Sequence, residues 1–256
     1  MRITSQKYMI FLFMLTVFGF SGFVLAIAQD EHTVAIWLFE EGKEKVIKDI
    51  SGNGNDGELK GSKWDKGKFG GGLKFGGGSD FVEVPDSESL DLTDGLTIEM
   101  WLYLNAYSTA GGNGVTKETA YKVGSRSDKK VMIRMTTSNL AWGSAVLGGK
   151  TDVPLNSWHH VAGTYDGKTG EAKVYLDGKE DGNSKIGGPI VPNDSVLWIG
   201  RGQAPYLDGF IDEVRISNIV RSAQVIQDLM ERGFEGILAI SSEGKSAITW
   251  VSIKTK

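Results

Sequence analysis

From Thr33 onward apolar residues recur with a period of two, and that period admits little besides half-buried β-strands. The segments are TVAIWLF (33–39), DFVEV (80–84), LTIEMWLYL (96–104), KVMIRM (130–135), SWHHVAGTY (157–165), AKVYL (172–176), VLWIG (196–200) and FIDEVRI (210–216). Asp166-Gly167 and Asp177-Gly178 bracket AKVYL and supply the positive φ that tight hairpin turns require. After the N-terminal segment one stretch reads as a helix. Ser222 caps it, Val225, Ile226, Leu229 and Met230 form its apolar stripe, and Gly233 ends it. The remaining residues, 235–256, read as a tail of two short strands about a polar turn. Many short strands with regular turns and one late helix predict an all-β fold, a two-sheet antiparallel sandwich with one short C-terminal helix.

Composition fits one large sandwich. The 256 residues include 35 glycines, set mostly in turns, and the hydrophobic fraction of 40% suffices for a sizeable core. Arg2 and Lys7 precede an uncharged run from Tyr8 to Ala28 that closes on Ala26-Ile27-Ala28. This pattern predicts a secretory signal over 1–28, with an uncleaved membrane anchor as the alternative and the globular domain beginning at 29. Beyond it the chain carries 26 bases against 32 acids, and no basic cluster suggests nucleic acid. An exported chain without cysteine has no disulfides, which leaves a metal as a common stiffening device.

DISGNGNDG (49–57) bears on that point. Asp49, Ser51 and Asn53 place oxygens at the first, third and fifth positions, Gly54 follows, and Asn55 offers a carbonyl, as in the front half of an EF-hand loop. The twelfth position is Lys60 rather than a bidentate Glu, and the flanks are not helical, so an EF-hand is excluded. The missing charge is sought in FIDEVRI. Strict alternation there puts Asp212 on the face of Phe210, Val214 and Ile216, and sets Glu213 beside Arg215 on the other. A carboxylate on an apolar face costs several kcal/mol unless it is paired, protonated or bound to a cation. One reading has Asp212 and the Asp49 loop share a calcium ion; the other has a plain turn, with Asp212 accepting backbone N–H groups.

The series WLFEEG (37–42), DISGNGNDG, WDKGKFGGGLKFGGGSDFVEV (64–84), LTIEMW (96–101), SWHHVAGTYDG (157–167), VYLDGK (174–179) and GFIDEVRIS (209–217) resembles, in that order, a LamG-like jelly roll of the concanavalin A-like lectin/glucanase superfamily. The resemblance spans residues 31–234. It implies two curved antiparallel sheets and a structural calcium near the junction of the SGN loop and the IDEV strand. Carried over residue by residue, it implies Asp49, Asn53 and Asp212 as metal ligands, with the Gly57 carbonyl beside them.

Catalysis finds little footing. The superfamily's glucanases resemble one another in an E-x-D-x-E strand, whereas LTIEMWLYL holds only Glu99, and the two acids of FIDEVRI are adjacent. There is no cysteine nucleophile and no G-x-S-x-G elbow, and His159 and His160 point to opposite sides of one strand. Recognition remains. Thr97, Glu99, Trp101 and Tyr103 share a strand face, which either lines a groove or packs under a second layer. The loops 105–121 and 201–209 offer Tyr107, Tyr121, Arg201, Gln203 and Tyr206, and Trp142 joins them as a candidate ligand contact. The sequence thus reads as an exported, non-catalytic, calcium-stabilised module that binds glycan or a glycosylated partner. An adhesion module contacting protein is the alternative, and a glycoside hydrolase stands third.

Overall fold

The computed structural model describes residues 30–109, 114–202 and 206–242. The signal or anchor expected over 1–28, Gln203 and the end of the tail lie outside the described residues. The early strands are β1 (Thr33–Trp37), β2 (Val46–Ile47), β3 (Gly57–Lys60), β4 (Lys63–Lys66), β5 (Gly71–Gly76) and β6 (Phe81–Val84). The middle of the chain gives β7 (Gly95–Leu104), β8 (Val115–Lys117), β9 (Tyr121–Ser125), β10 (Lys130–Met135) and β11 (Ala145–Asp152). Then come β12 (Trp158–Asp166), β13 (Glu171–Leu176), β14 (Lys179–Lys185), β15 (Leu197–Ile199) and β16 (Asp208–Ser217), followed by the helix α1 (Ala223–Ser242).

These strands form two antiparallel sheets. The first runs β14-β13-β12-β7-β16-β5-β4, with β1 alongside β16, and the second runs β11-β10-β9-β8-β15-β6-β3-β2. Period-two alternation delivers the core between them. Leu96, Ile98, Met100, Leu102 and Leu104 of β7 join Val82, Val115, Val123, Ile133 and Ile199 of the second sheet in one buried cluster.

Strand β16 departs from simple alternation and corrects the sequence reading of its faces. Its register against β7 shifts between Asp212 and Arg215, and Glu213 adopts a φ of 46°. One bulged residue exchanges the faces of everything that follows. Ile211, Val214 and Ile216 therefore all enter the core, while Asp212 and Arg215 stand on the outer face opposite Trp101 and Glu99. Arg215 pairs with Glu99 rather than with Glu213: its Nε donates to Glu99 Oε1 at 2.7 Å, and Nη2 donates to the same oxygen. Glu213 instead accepts the Phe234 N–H at 3.1 Å.

Part of the outer face of the first sheet, around Trp101 and Tyr175, is covered by a second layer. Ser222 Oγ accepts the Val225 N–H at the start of α1, as its N-cap role predicts. Ile226 packs on Ala162 and Tyr175, and Leu229 and Phe234 pack on Ile36. Phe69 meets Trp101 edge-on at 5.9 Å, which leaves Trp101 only 6% exposed. Trp101 is thus a packed aromatic, and the face it shares with Glu99 is not a groove. At Gly233 (φ 62°, ψ 173°) the helix breaks, but helical structure resumes through Ser242 where the sequence suggested a strand. The run GILAI is short and apolar, and such runs do not distinguish a strand from a packed helix turn.

The buried ion pair gives a stability test. Removing one partner strands a charge and costs roughly 3–5 kcal/mol, whereas replacing both with apolar groups of like volume is close to neutral. Urea unfolding is expected to show Arg215→Met losing stability on that scale and the double variant Glu99→Leu/Arg215→Met recovering most of it. Equal losses in both would mean that the pair contributes only through packing.

Candidate functional site

The DISGNGNDG loop lies along the outer edge of β1, whose ladder partner on the other side is β16. Asp49 Oδ1 accepts the N–H groups of Ile36 (3.0 Å) and Ser51 (2.9 Å). Asp49 Oδ2 accepts the Asn55 N–H (2.9 Å) and lies 2.8 Å from the Ser51 hydroxyl. The Asn53 amide donates to the carbonyls of Thr33 and Val34, the Asn55 amide also reaches the Val34 carbonyl, and the Ile50 N–H donates to Ile36 O at 3.0 Å. Side chains and loop backbone here take the place of a neighbouring strand and cover an edge that would otherwise be open.

That role bears on the expected metal shell. Both Asp49 oxygens are engaged, Asn53 turns its N–H groups toward carbonyls, and Gly57 sits in the ladder opposite Ile47. Asp212 belongs to different surroundings. Its Oδ2 accepts the Phe69 N–H at 2.9 Å, and a Cβ at Gly67 would fall 2.5 Å from that oxygen and 1.9 Å from Gly71 O, so the GKFGGG turn closes on the carboxylate through glycine. Asp212 Oδ1 is buried and has no well-formed hydrogen bond, while Glu40 holds the same turn through the Gly71 N–H at 2.8 Å. The hydrogen bonds set Asp49 and Asn53 against β1 and Asp212 against the 67–71 turn, and among the described residues no group of three or more His, Cys, Asp or Glu side chains is placed to hold a metal. Among the four expected ligands, Asp212 Oδ1 is the buried oxygen that accepts no hydrogen bond.

Burial pushes the Asp212 carboxyl up to about 7, against the backbone N–H groups of Phe69, Glu213 and Lys68, and the Glu40 charge adds to the rise. His160, 1% exposed between Trp101 and Glu99, is driven down to about 3 by burial and by Arg215. It stays neutral, so the outer face of the first sheet carries a closed ion pair, an uncharged imidazole and a carboxyl that is protonated below neutrality. His159 is tied separately to Ser157 and Asp177.

The second sheet differs. Its outer side carries one cross-strand row, Glu58–Glu83–Trp198–Thr116–Lys122–Arg134–Val146. Trp142 lies beside Arg134, 5.5 Å from ring centroid to guanidinium. Arg201 reaches over Trp198 (4.0 Å), Phe81 (4.8 Å) and Tyr206 (5.3 Å), which makes a platform of three half-buried aromatics around one guanidinium. The polar groups here are under-used. Arg134 Nε, Arg201 Nε and Thr116 Oγ1 are buried without hydrogen bonds, and Lys122 beside them is 3% exposed. Burial lowers the Lys122 pKa, Glu118 works against that, and Arg134 adds to it.

Three candidate ligand contacts, Trp142, Arg201 and Tyr206, therefore converge on this face. Tyr121 and Tyr107 do not: the Tyr121 hydroxyl donates to Leu90 O inside the core, and the Tyr107 hydroxyl donates to Val153 O with Lys129 over its ring. Trp198, Lys122, Arg134 and Phe81 escaped the sequence reading. Alternation put Trp198 outward between Leu197 and Ile199, yet a tryptophan inside an apolar run reads as core.

Comparison with known proteins agrees with this architecture. The family model described as "Concanavalin A-like lectin/glucanases superfamily" (Laminin_G_3) matches residues 76–227. The binding domain of Paraclostridial Mosquitocidal Protein 1 superposes with a TM-score of 0.65 at 17% identity, over 78% of this chain and 52% of that one. Domain 4 of AbnA, a GH43 extracellular arabinanase from Geobacillus stearothermophilus solved with arabinotriose, gives 0.64 at 19% identity, over 78% of this chain and 98% of that domain. Trypanosoma rangeli sialidase gives 0.56 at 16% identity, over 78% and 32%. The chain thus spans about half of the mosquitocidal binding domain, a third of the sialidase and nearly all of the arabinanase domain. No curated protein matches it. At these identities the likeness establishes the jelly-roll fold.

Asp212 provides a pH signature. Folded, it holds its proton up to about pH 7; unfolded, it releases it near 3.8. Between those values the folded state binds more protons, so this group's contribution to stability falls as pH rises and levels off above neutrality. His160 acts in the opposite sense between about 3 and 6.5, because there the unfolded chain binds the extra proton. The difference between wild type and Asp212→Asn isolates the first effect. In chelator it is expected to change by up to about 4 kcal/mol across the window, and a flat difference would place Asp212 in the ordinary carboxylate range.

Proposed function

Because the chain belongs to the concanavalin A-like lectin/glucanases superfamily, matched over residues 76–227, we propose that it is an exported, non-catalytic module that binds glycan on the outer face of its second sheet. The observation that carries the reading is the platform of Arg201 over Trp198, Phe81 and Tyr206, beside buried polar groups that the protein leaves unpaired. Sugar recognition needs that combination: a ring face to stack on and fixed donors and acceptors for hydroxyls. The AbnA domain, covered almost whole and solved with arabinotriose, supports an oligosaccharide as the ligand class. Its parent enzyme is extracellular, which supports export alongside the N-terminal pattern of Arg2, Lys7 and Ala26-Ile27-Ala28.

A hydrolytic role is disfavoured by Glu99, the acid at the centre of β7. It is fully buried and forked by Arg215, which leaves it no access to a glycosidic oxygen. A glycan panel read by affinity electrophoresis is expected to show retardation that Trp198→Ala abolishes while the melting midpoint holds. Concentration-dependent self-association or protein capture with no sugar effect would replace this reading by an adhesion module.

Calcium enters the proposal at the Asp212 turn rather than at DISGNGNDG. Its support is the spare Asp212 oxygen with Glu40 close by, and calcium's demand for roughly six to eight oxygens leaves the remainder to backbone carbonyls and water. Calcium is expected to raise the wild-type midpoint relative to chelator and to leave Asp212→Asn unmoved. Asp49→Ala should lose roughly 2–4 kcal/mol in either condition, since it removes acceptors from several loop N–H groups. No response of the wild type to calcium removes the ion from the proposal.

A further inference from the structure

At the start of β12, in the first sheet, a serine, a histidine and an aspartate form one connected polar chain. Strand alternation turns Ser157 and His159 to one side, and Trp158 between them to the other, where it packs on Tyr103 (5.7 Å) and Phe210 (6.1 Å). Asp177 comes from the β13–β14 hairpin, where it stands at φ 49° before Gly178. Its N–H donates to His160 O at 2.8 Å and its Oδ1 accepts the His160 N–H at 3.0 Å, so two bonds fix the turn to β12. The other carboxylate oxygen, Oδ2, lies 2.9 Å from His159 Nδ1, and His159 Nε2 lies 2.8 Å from Ser157 Oγ.

Hydrogen-bond chemistry gives this chain a direction. A carboxylate accepts and does not donate, so Nδ1 carries the ring proton and gives it to Asp177. In the neutral imidazole Nε2 is then an acceptor, and the Ser157 hydroxyl is the donor that meets it. A nucleophile, a base within hydrogen-bond reach and a third group that orients the base are the parts that activate a serine. Solvent reaches them: Ser157 is half-buried, and the side chains of His159 and Asp177 are 14% and 46% exposed. The two bonds between Asp177 and His160 already pin the hairpin, so the imidazole link to Ser157 is additional to what the turn requires.

We infer that Ser157 is an activated nucleophile that takes an acyl group from an activated ester or thioester and keeps it, a modification site separate from the glycan platform on the other sheet. Ser157 Oγ attacks the acyl carbon while His159 Nε2 takes the hydroxyl proton. The Oγ–C bond forms, the bond from carbon to the leaving oxygen or sulfur breaks with its electron pair, and the proton on Nε2 passes to the departing alcohol or thiol. Asp177 is a positioning residue: it holds the tautomer and steadies the imidazolium that forms. The other neighbour of the Ser157 hydroxyl is the Leu155 carbonyl at 3.4 Å, an acceptor with no proton to offer an oxyanion. Such a site suits a donor whose leaving group departs readily. The product is an alkyl ester of serine, whose leaving group is poor, so the chain is acylated once and does not turn over.

The test is intact-mass and peptide-map analysis of the full chain after brief exposure to p-nitrophenyl acetate, with a fluorophosphonate as a second, serine-directed probe. Both are expected to mark Ser157 faster than the exposed Ser138, and His159→Gln to slow the marking by about a hundredfold or more. Asp177→Asn separates activation from mere structure. Its amide oxygen still accepts the His160 N–H and asparagine tolerates the turn, but its N–H donates to Nδ1, which moves the ring proton to Nε2 and leaves Ser157 without a base. This variant is expected to keep the wild-type melting midpoint and to lose marking on the same scale as His159→Gln. Marking of Ser157 no faster than Ser138, or unchanged in Asp177→Asn, would overturn the proposal and leave the three residues as a tie across the hairpin. Release of many equivalents of nitrophenolate per chain, abolished by Ser157→Ala, would overturn the single acylation in favour of an esterase. Ser157→Ala is expected to bind the glycan panel as wild type does, so the two readings stand or fall separately.

Discussion

The bulge at Asp212–Arg215 decides how the first sheet is finished. By shifting β16 one residue against β7 after Asp212, it turns Arg215 to the outer face that Asp212 already occupies and sends Val214 and Ile216 inward. The gain is a complete core, and the cost is two ionisable groups on a face that must then be covered. Glu99 answers Arg215 from the opposite strand, and the 67–71 turn closes on Asp212. With the charges settled, α1 can lie across part of the face through Ile226, Leu229 and Phe234. The part of this face around Glu99 and Trp101 is thereby closed to ligands, while Tyr103, Trp158 and Phe210 form a half-buried aromatic cluster beside it.

Much of this was legible in the sequence because strand periodicity is a local property. The sandwich, the Asp-Gly hairpins flanking β13, the Ser222 cap and the break at Gly233 each follow from residues within one element. The partner of Arg215 did not follow, because one bulged residue reverses the inference for every later position, and a single sequence does not mark a bulge at a non-glycine residue such as Glu213. The site was legible in part. Trp142, Arg201 and Tyr206 come from loops, where an aromatic or arginine stands out, whereas Lys122 and Trp198 are interior positions of strands. Their significance lies in the strand order β10-β9-β8-β15-β6, which alternation alone does not supply.

The DISGNGNDG loop shows how one composition serves two physical ends. Short side chains with oxygen and amide groups between glycines suit a cation, and they equally suit a backbone edge that needs donors and acceptors at strand spacing. The structure uses them in the second way. Ile36 offers an N–H to Asp49 and a carbonyl to Ile50, while the Thr33 and Val34 carbonyls receive the amides of Asn53 and Asn55. The dense hydrogen bonding that secures the loop to β1 is the reason its carboxylate has little left for a metal.

Buried cations are paired in both sheets, and the two guanidinium groups on the outer face of the second sheet are handled differently. A protein that places Glu99 under Arg215, Asp30 beside Arg221 and Asp86 against Lys117 has the means to neutralise a cation wherever structure alone requires it. Arg134 and Arg201 lie on that face against half-buried aromatics, each with its Nε buried and without a hydrogen bond. A buried donor left without an acceptor costs roughly 1–3 kcal/mol, and an aromatic face offsets part of that for a guanidinium. That cost is met in folding, so a ligand that brings a ring face and an acceptor oxygen gains those contacts without meeting it again. Two guanidinium groups held against four aromatic rings make the second sheet a surface organised before its ligand binds.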